Sequence, residues 1–329
     1  MSEAMPAPAR VPLVAVHDLQ ISFPQAGADA PPALRDVDLV IGQGELIGLV
    51  GDSGAGKTTL AKTIMASLSS TARIDSGSVS FKGNDMLRLD DGRKTVLLGR
   101  ELSMIVANPR SELNPILTVG TQISNLLQHH LKLGRAAARE RALDMLRSVN
   151  IPDPERRMDA YPHELSGGMA QRVLIAMALA CSPDFVISDD ATSGLDVTVQ
   201  AQVLKLVWTL VRERDASCLF ITRDIAIAAH YCTRIVIIYA GEVVETAPTA
   251  RFFDHPAHPY SMVLLSAFAH NEALRRRWHA EESTLEEADC ACRFAPRCVR
   301  RQPRCVSERP ALRTLEGGHQ VRCHFPVEG

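Results

Sequence analysis

The sequence predicts an α/β fold, a mostly parallel sheet layered with helices, carrying a helical insertion and a short cysteine-rich appendix. Three observations predict it. An apolar stretch at 45–50 runs straight into the glycine-rich segment 51–58, and helix-forming sequence follows from Thr59. Downstream, short apolar runs alternate with helical spacing, which is the pattern of parallel strands joined by crossover helices. Five of the eight cysteines then fall between Cys290 and Cys323.

Residues 14–23 alternate as a half-buried strand, residues 25–32 form a loop rich in Ala, Gly and Pro, and 34–41 and 45–50 read as two more strands. Segment 51–58, Gly51-Asp52-Ser53-Gly54-Ala55-Gly56-Lys57-Thr58, fits the phosphate-binding pattern G-x-x-x-x-G-K-[ST]. Glycines let backbone N–H groups wrap a phosphate, and the helix N-terminus adds partial positive charge there. Lys57 is placed to reach the β- and γ-phosphates, and the Thr58 hydroxyl to hold Mg²⁺. The chain is therefore expected to bind a nucleoside triphosphate. Phe23, the one aromatic residue before this loop, is a candidate for stacking on the base, although core packing serves it equally well.

After the first helix, Asp75-Ser76-Gly77 is expected to turn into a strand at 78–82, and 102–106 is another. Helical spacing over 119–131 and 136–149 marks an insertion within about 110–180. Ser166-Gly167-Gly168-Met169 opens a long apolar helix, a second anion-binding arrangement distinct from the first. A buried strand at 185–188 ends in Asp189-Asp190, fitting a Mg²⁺-binding carboxylate downstream of a phosphate loop. Ser193-Gly194-Leu195-Asp196, a helix over 197–214, a strand at 218–222, Arg223-Asp224 and a hairpin about Ala240-Gly241 complete the pattern.

Bulk properties limit the function classes. The 329 residues carry a formal net charge of −2, which argues against nucleic acid as the main partner. No apolar run approaches the roughly 20 residues needed to span a bilayer, and the first ten residues lack a signal-peptide core. A cytosolic protein that meets a membrane only through partners is expected. Cys181, Cys218 and Cys232 lie in apolar stretches and read as buried thiols, whereas the C-terminal group suggests metal ligation. Cys292-x5-Cys298-x6-Cys305-x17-Cys323 offers four thiolates, enough for an iron–sulfur cluster or tetrahedral Zn²⁺, with Cys290 as a spare.

The phosphate loop, Leu165-Ser166-Gly167-Gly168-Met169, Asp189 and Ser193-Gly194-Leu195-Asp196, in this order, resemble an ABC-transporter ATPase subunit. Tyr161-Pro162-His163-Glu164-Leu165, Val197-Thr198-Val199-Gln200 and His258-Pro259-Tyr260 resemble the oligopeptide/dipeptide/nickel importer branch. Arg293-Phe294-Ala295-Pro296-Arg297-Cys298 resembles its peptide subgroup. The resemblance implies a RecA-like core with an antiparallel β subdomain and a helical subdomain, an ATP-binding domain over 1–260 and a C-terminal extension over 261–329. It further implies a head-to-tail ATPase dimer, two membrane permease subunits, an extracytoplasmic solute-binding protein and a peripheral position at the cytoplasmic face of the inner membrane.

Carried over by resemblance, Phe23 stacks adenine, and Ser53, Gly54, Ala55, Gly56, Lys57, Thr58 and Thr59 bind the phosphates. Thr58 and Asp189 hold Mg²⁺. Ser166, Gly167, Gly168 and Met169 act on the opposite ATP, with Ser193 and Asp196 in the adjoining loop. Cys292, Cys298, Cys305 and Cys323 match members associated with a [4Fe–4S] cluster, with zinc as the alternative. Three positions depart from the family pattern. Ala107 stands where a glutamine contacts Mg²⁺ and water, Asp190 where a glutamate polarises the water, and Arg223 where a histidine contacts the γ-phosphate. These departures predict a site that binds ATP and hydrolyses it poorly, and hence a second, non-identical ATPase partner. Other readings are a non-hydrolysing nucleotide sensor or scaffold, a soluble ABC protein working on nucleic acid, and a nickel or metallophore importer subunit.

Overall fold

The computed structural model describes residues 11–24, 31–268, 277–278 and 290–327; most of the loop expected at 25–32 lies outside them. The strands are β1 (Val14–Ser22), β2 (Leu34–Ile41), β3 (Leu46–Val50), β4 (Arg73–Phe81), β5 (Asn84–Asp85) and β6 (Leu102–Ile105). They continue as β7 (Phe185–Asp189), β8 (Ser217–Thr222), β9 (Arg234–Tyr239), β10 (Glu242–Pro248), β11 (Leu312–Thr314) and β12 (Gln320–Arg322). Two sheets result: an antiparallel one in the order β2-β1-β4-β5, and an eight-stranded one in the order β11-β12-β10-β9-β3-β8-β7-β6. From β9 to β6 the large sheet is parallel, as its buried, uninterrupted apolar strands predict.

Side chains alternate across that parallel core. Val50, Val186, Cys218 and Phe220 point to one face and pack with the helices Val119–Leu131, Arg135–Ser148 and Gly167–Leu179. Ile47, Leu49, Phe185, Ile187, Leu219 and Ile221 point to the other, against helix Lys57–Ile64 and the antiparallel sheet. Period-two geometry makes this unavoidable for a strand buried on both faces. The layered α/β reading thus holds, and helices run over Val119–Leu131 and Arg135–Ser148.

One expectation fails. Asp75-Ser76-Gly77 is no turn before a strand, because β4 runs through it from Arg73 to Phe81. Gly77 takes φ +92°, and a Cβ there would meet the Asp18 carbonyl oxygen at 2.5 Å. The register against β1 shifts between His17 and Gln20 at the same place. The glycine marks a bulge, which reads in sequence like a turn because both need an unhindered backbone.

The C-terminal segment does not stand apart. Its strand β12 pairs with β10 (Glu245 opposite Val321), so the tail extends the main sheet. At the centre of that junction the fully buried Glu245 carboxylate accepts hydrogen bonds from Ala257 N (2.8 Å), His258 N (2.7 Å), Ser261 Oγ (2.6 Å) and His319 Nε2 (2.8 Å). Four donors offset the desolvation of a buried charge.

Candidate nucleotide site

Strand β3 delivers the chain to Gly51 at the sheet's carboxyl end, where ligands of open parallel sheets collect. The loop then turns through Gly54 (φ +80°) and Gly56 (φ +100°) into helix Lys57–Ile64. At Gly56 a Cβ would sit 2.7 Å from Leu34 Cδ2 and 2.8 Å from the Ala33 carbonyl oxygen, so only glycine fits. No side chain caps that helix, which leaves its first N–H groups facing the loop. Lys57 is nearly buried and its Nζ donates to the carbonyls of Gly51 and Asp52, each at 2.8 Å. Burial lowers its pKa while Asp190 and Asp189 oppose that shift. A desolvated ammonium at the loop's centre is primed for anionic phosphate.

Thr58 Oγ1 donates to Asp189 Oδ2 at 2.9 Å, bringing the two expected Mg²⁺ ligands together. Burial raises the Asp189 pKa, against the Thr58 hydrogen bond and the Lys57 charge and with Asp190 adding to it. Two hard oxygen donors in that setting suit Mg²⁺. Ser53 Oγ accepts from Arg223 Nη1 at 3.4 Å, and Arg223 Nε lies 3.9 Å from Asp190 Oδ2. Asp190 adopts φ +47°, with its N–H on the Ile221 carbonyl (3.1 Å) and its carbonyl accepting from Ser193 N (2.8 Å). Ala107 is half-buried just beyond β6, where Gln171 Nε2 donates to the neighbouring Val106 carbonyl at 3.1 Å. Phe23 is half-buried against the core cluster that includes Ala55 and Leu34, and Thr59 is half-buried in the first helical turn.

The 166–169 turn forms a different helix start. Ser166 Oγ accepts from Met169 N at 3.3 Å and caps helix Gly167–Leu179. Its glycines lie beside the Ser193–Asp196 loop and the helix after it: a Cβ on Gly167 would be 3.8 Å from Leu195, and one on Gly168 only 3.1 Å from Val199. Ser193 and Asp196 themselves are exposed.

Two residues at the loop escape a motif reading. Tyr260 accepts from Asp52 N at 2.9 Å, and Arg297 Nη1 lies 3.2 Å from Asp52 Oδ2. They are 208 and 245 residues away in sequence, and no local spacing connects them to the loop.

Cys292, Cys298, Cys305 and Cys323 line one pocket with His258 and Phe294. Burial pushes Cys292 up to about 12 and, against the nearby Arg300 and Arg313, Cys298 and Cys323 up to about 11, which disfavours the thiolate of each. Among the described residues no group of three or more His, Cys, Asp or Glu is gathered closely enough to hold a metal ion. The expected metal set at Cys292, Cys298, Cys305 and Cys323 is therefore not gathered as a ligand cluster, for iron–sulfur and zinc alike. Among the described residues no helix is long and apolar enough to cross a membrane.

Comparison with known proteins agrees with this geometry. The ABC transporter family matches residues 34–193, and the oligopeptide/dipeptide transporter C-terminal region matches residues 244–305. A dimeric ATP-binding cassette in a post-hydrolysis state with ADP and Pi superposes with a TM-score of 0.64 at 26% identity, covering 72% of this chain and 98% of that one. Fold and site together define the ATP-binding subunit of an ABC transporter. The dipeptide transport ATP-binding protein DppD of Escherichia coli is 38% identical over 322 residues, covering 96% of this chain and 97% of that protein. The oligopeptide transport ATP-binding protein AppD of Bacillus subtilis is 38% identical over 301 residues, covering 90% and 92%. The chain belongs to the oligopeptide/dipeptide importer family of these subunits.

Proposed function

We propose that this chain powers an ABC importer for peptides as one of two non-identical ATPase subunits, binding ATP at its own site and completing its partner's. The carrying observation is a contrast between the binding residues and the hydrolysis positions of one chain. Lys57, Thr58 and Asp189 stand as the expected phosphate and Mg²⁺ ligands, whereas Ala107, Asp190 and Arg223 replace the glutamine, glutamate and histidine that the family pattern gives to Mg²⁺ and water, to water, and to the γ-phosphate. Ala107 has no polar side-chain atom for that task. Asp190 is one methylene shorter than glutamate, in a reaction where positioning supplies most of the rate. Its carboxylate lies 3.9 Å from the Arg223 guanidinium.

The remaining partners follow from the family: two membrane permease subunits and an extracytoplasmic solute-binding protein, with the chain at the cytoplasmic face. Mg²⁺ bound by Thr58 and Asp189 would neutralise charge on the phosphates, and Ser166, Gly167, Gly168 and Met169 would meet the γ-phosphate of the partner's ATP. Four cysteines around one pocket form a donor set that suits a [4Fe–4S] cluster, whose sulfur ligands spread wider than those of a single ion. Cys292, Cys298, Cys305 and Cys323 would hold it, and it would supply a covalent staple to a segment with little core of its own.

The test is a structure of the assembled transporter under turnover. ATP is expected beside Lys57 while the partner site holds ADP or is empty. ADP appearing first at Lys57 would overturn the division of labour. Anaerobically purified protein should carry about four irons per chain; stoichiometric zinc without iron would reject the cluster.

A further inference from the structure

Asp52, the second residue of the phosphate loop, is held at every polar group it has. Its N–H donates to the Tyr260 hydroxyl at 2.9 Å. Its carbonyl accepts from Lys57 Nζ (2.8 Å) and from Ala55 N (3.2 Å). Its carboxylate faces Arg297 Nη1 at 3.2 Å. Arg297 comes from the cysteine-bearing segment, immediately before Cys298, and its guanidinium lies 5.7 Å from the Tyr239 ring centroid and 6.0 Å from that of Phe294. Those two rings and Tyr260 pack together, with centroids 4.7–5.4 Å apart. A continuous set of contacts therefore joins the wall of the cysteine pocket to the loop that wraps the phosphates.

The charge balance gives this contact a role. A carboxylate at the mouth of a triphosphate site repels the ligand, and an arginine paired with it removes most of that repulsion. The aromatic faces fix the guanidinium, so the pairing depends on how the C-terminal segment sits. We propose that Arg297 is a positioning residue of the nucleotide site: it neutralises and orients Asp52, and thereby links docking of the C-terminal segment to ATP affinity. The linkage is reciprocal, because whatever docking does for ATP, ATP does for docking. The proposal rests on ATP occupying the phosphate loop, and is independent of whether that site hydrolyses it.

The test is a double-mutant cycle on the full chain, read as the dissociation constant for ATP–Mg. Arg297→Ala should weaken binding about fivefold, and Arg297→Lys should recover at least half of that loss, as a partly exposed ion pair allows. In an Asp52→Asn background the same Arg297→Ala change should matter less than about 1.5-fold, because the charge it offsets is gone. Amide exchange over residues 290–305 should slow on adding ATP–Mg to the wild type, and not to Arg297→Ala. An equal loss in both backgrounds would mean that Arg297 merely holds the segment folded, and would overturn the proposal, as would unchanged affinity in Arg297→Ala. A wild-type chain with no affinity for ATP–Mg would instead overturn the nucleotide reading, and the linkage with it.

Discussion

Two helices of this molecule begin on glycine-rich turns, and their N-termini are finished in opposite ways. Helix Lys57–Ile64 has no capping side chain, and its own chain supplies the groups around it: Lys57 at the centre, Asp189 on Thr58, Arg223 on Ser53. Helix Gly167–Leu179 is capped by Ser166, and its glycines rest on Leu195 and Val199. The first turn builds a site with groups drawn from the ends of three strands, β3, β7 and β8. The second presents a finished surface, and within the proposed dimer it acts only on a nucleotide held by another chain. In that proposed dimer one polypeptide would carry two halves of two different sites, and substitutions in each half should be read out in different places.

The largest expected effect lies at the second turn. Gly168→Asp would set a carboxylate against the partner's γ-phosphate, a repulsion of about 4 kcal/mol for charges about 4 Å apart at an effective dielectric of about 20. Steady-state ATPase of the reconstituted transporter should fall by more than about a hundredfold. Because a Cβ at 168 already lies 3.1 Å from Val199 Cγ1, Gly168→Ala is the control for crowding alone and should cost far less. Equal losses for the two would remove charge from the explanation.

Lys57→Ala should come next. Removing the ammonium takes a donor from the Gly51 and Asp52 carbonyls, the latter keeping only Ala55 N, and the loop's lysine from the phosphates. Nucleotide titration of this chain should show ATP affinity weakened by about tenfold or more, as expected for a charge-assisted contact worth about 1.5–3 kcal/mol. ATPase of the assembly should fall less than for Gly168→Asp, since the partner's site keeps its own lysine.

Asp190→Asn should matter least. A working general base is worth on the order of 10²–10⁴ in rate, so a change below about threefold in the assembled transporter would separate Asp190 from that role. A loss as large as that of Gly168→Asp would place hydrolysis at Lys57 after all and dissolve the contrast between the two halves.

How much of this was legible in the sequence follows the range of the contacts. The loop 51–58, the turn 166–169 and the acidic pair 189–190 each make their geometry within a few residues, so pattern alone locates them. The pairing of Thr58 with Asp189 spans 131 residues and was still expected, because the order of motifs fixes which strand ends meet. Arg297 and Tyr260 at Asp52 had no such guide. Nothing in Pro259-Tyr260 or Pro296-Arg297 announces a phosphate loop more than 200 residues earlier. Gly77 misled for the opposite reason: a local signal with two meanings was decided by the partner strand β1. The cysteines were visible as a group, while the β11–β12 hairpin between Cys305 and Cys323 was not, since its three-residue strands are too short to show periodicity.

The hydrogen bond from His319 to Glu245 also bears on how this chain tolerates shortening. Cutting the polypeptide ahead of β11 would remove one of the four donors from a fully buried carboxylate and uncover the outer edge of β10. An unsatisfied buried group costs about 1–3 kcal/mol, and a bare strand edge invites pairing with another molecule. The tail therefore acts as a selvedge for the main sheet: fragments ending just ahead of residue 312 should be sticky as well as weakened, and those that keep residues 312–322 should remain monodisperse.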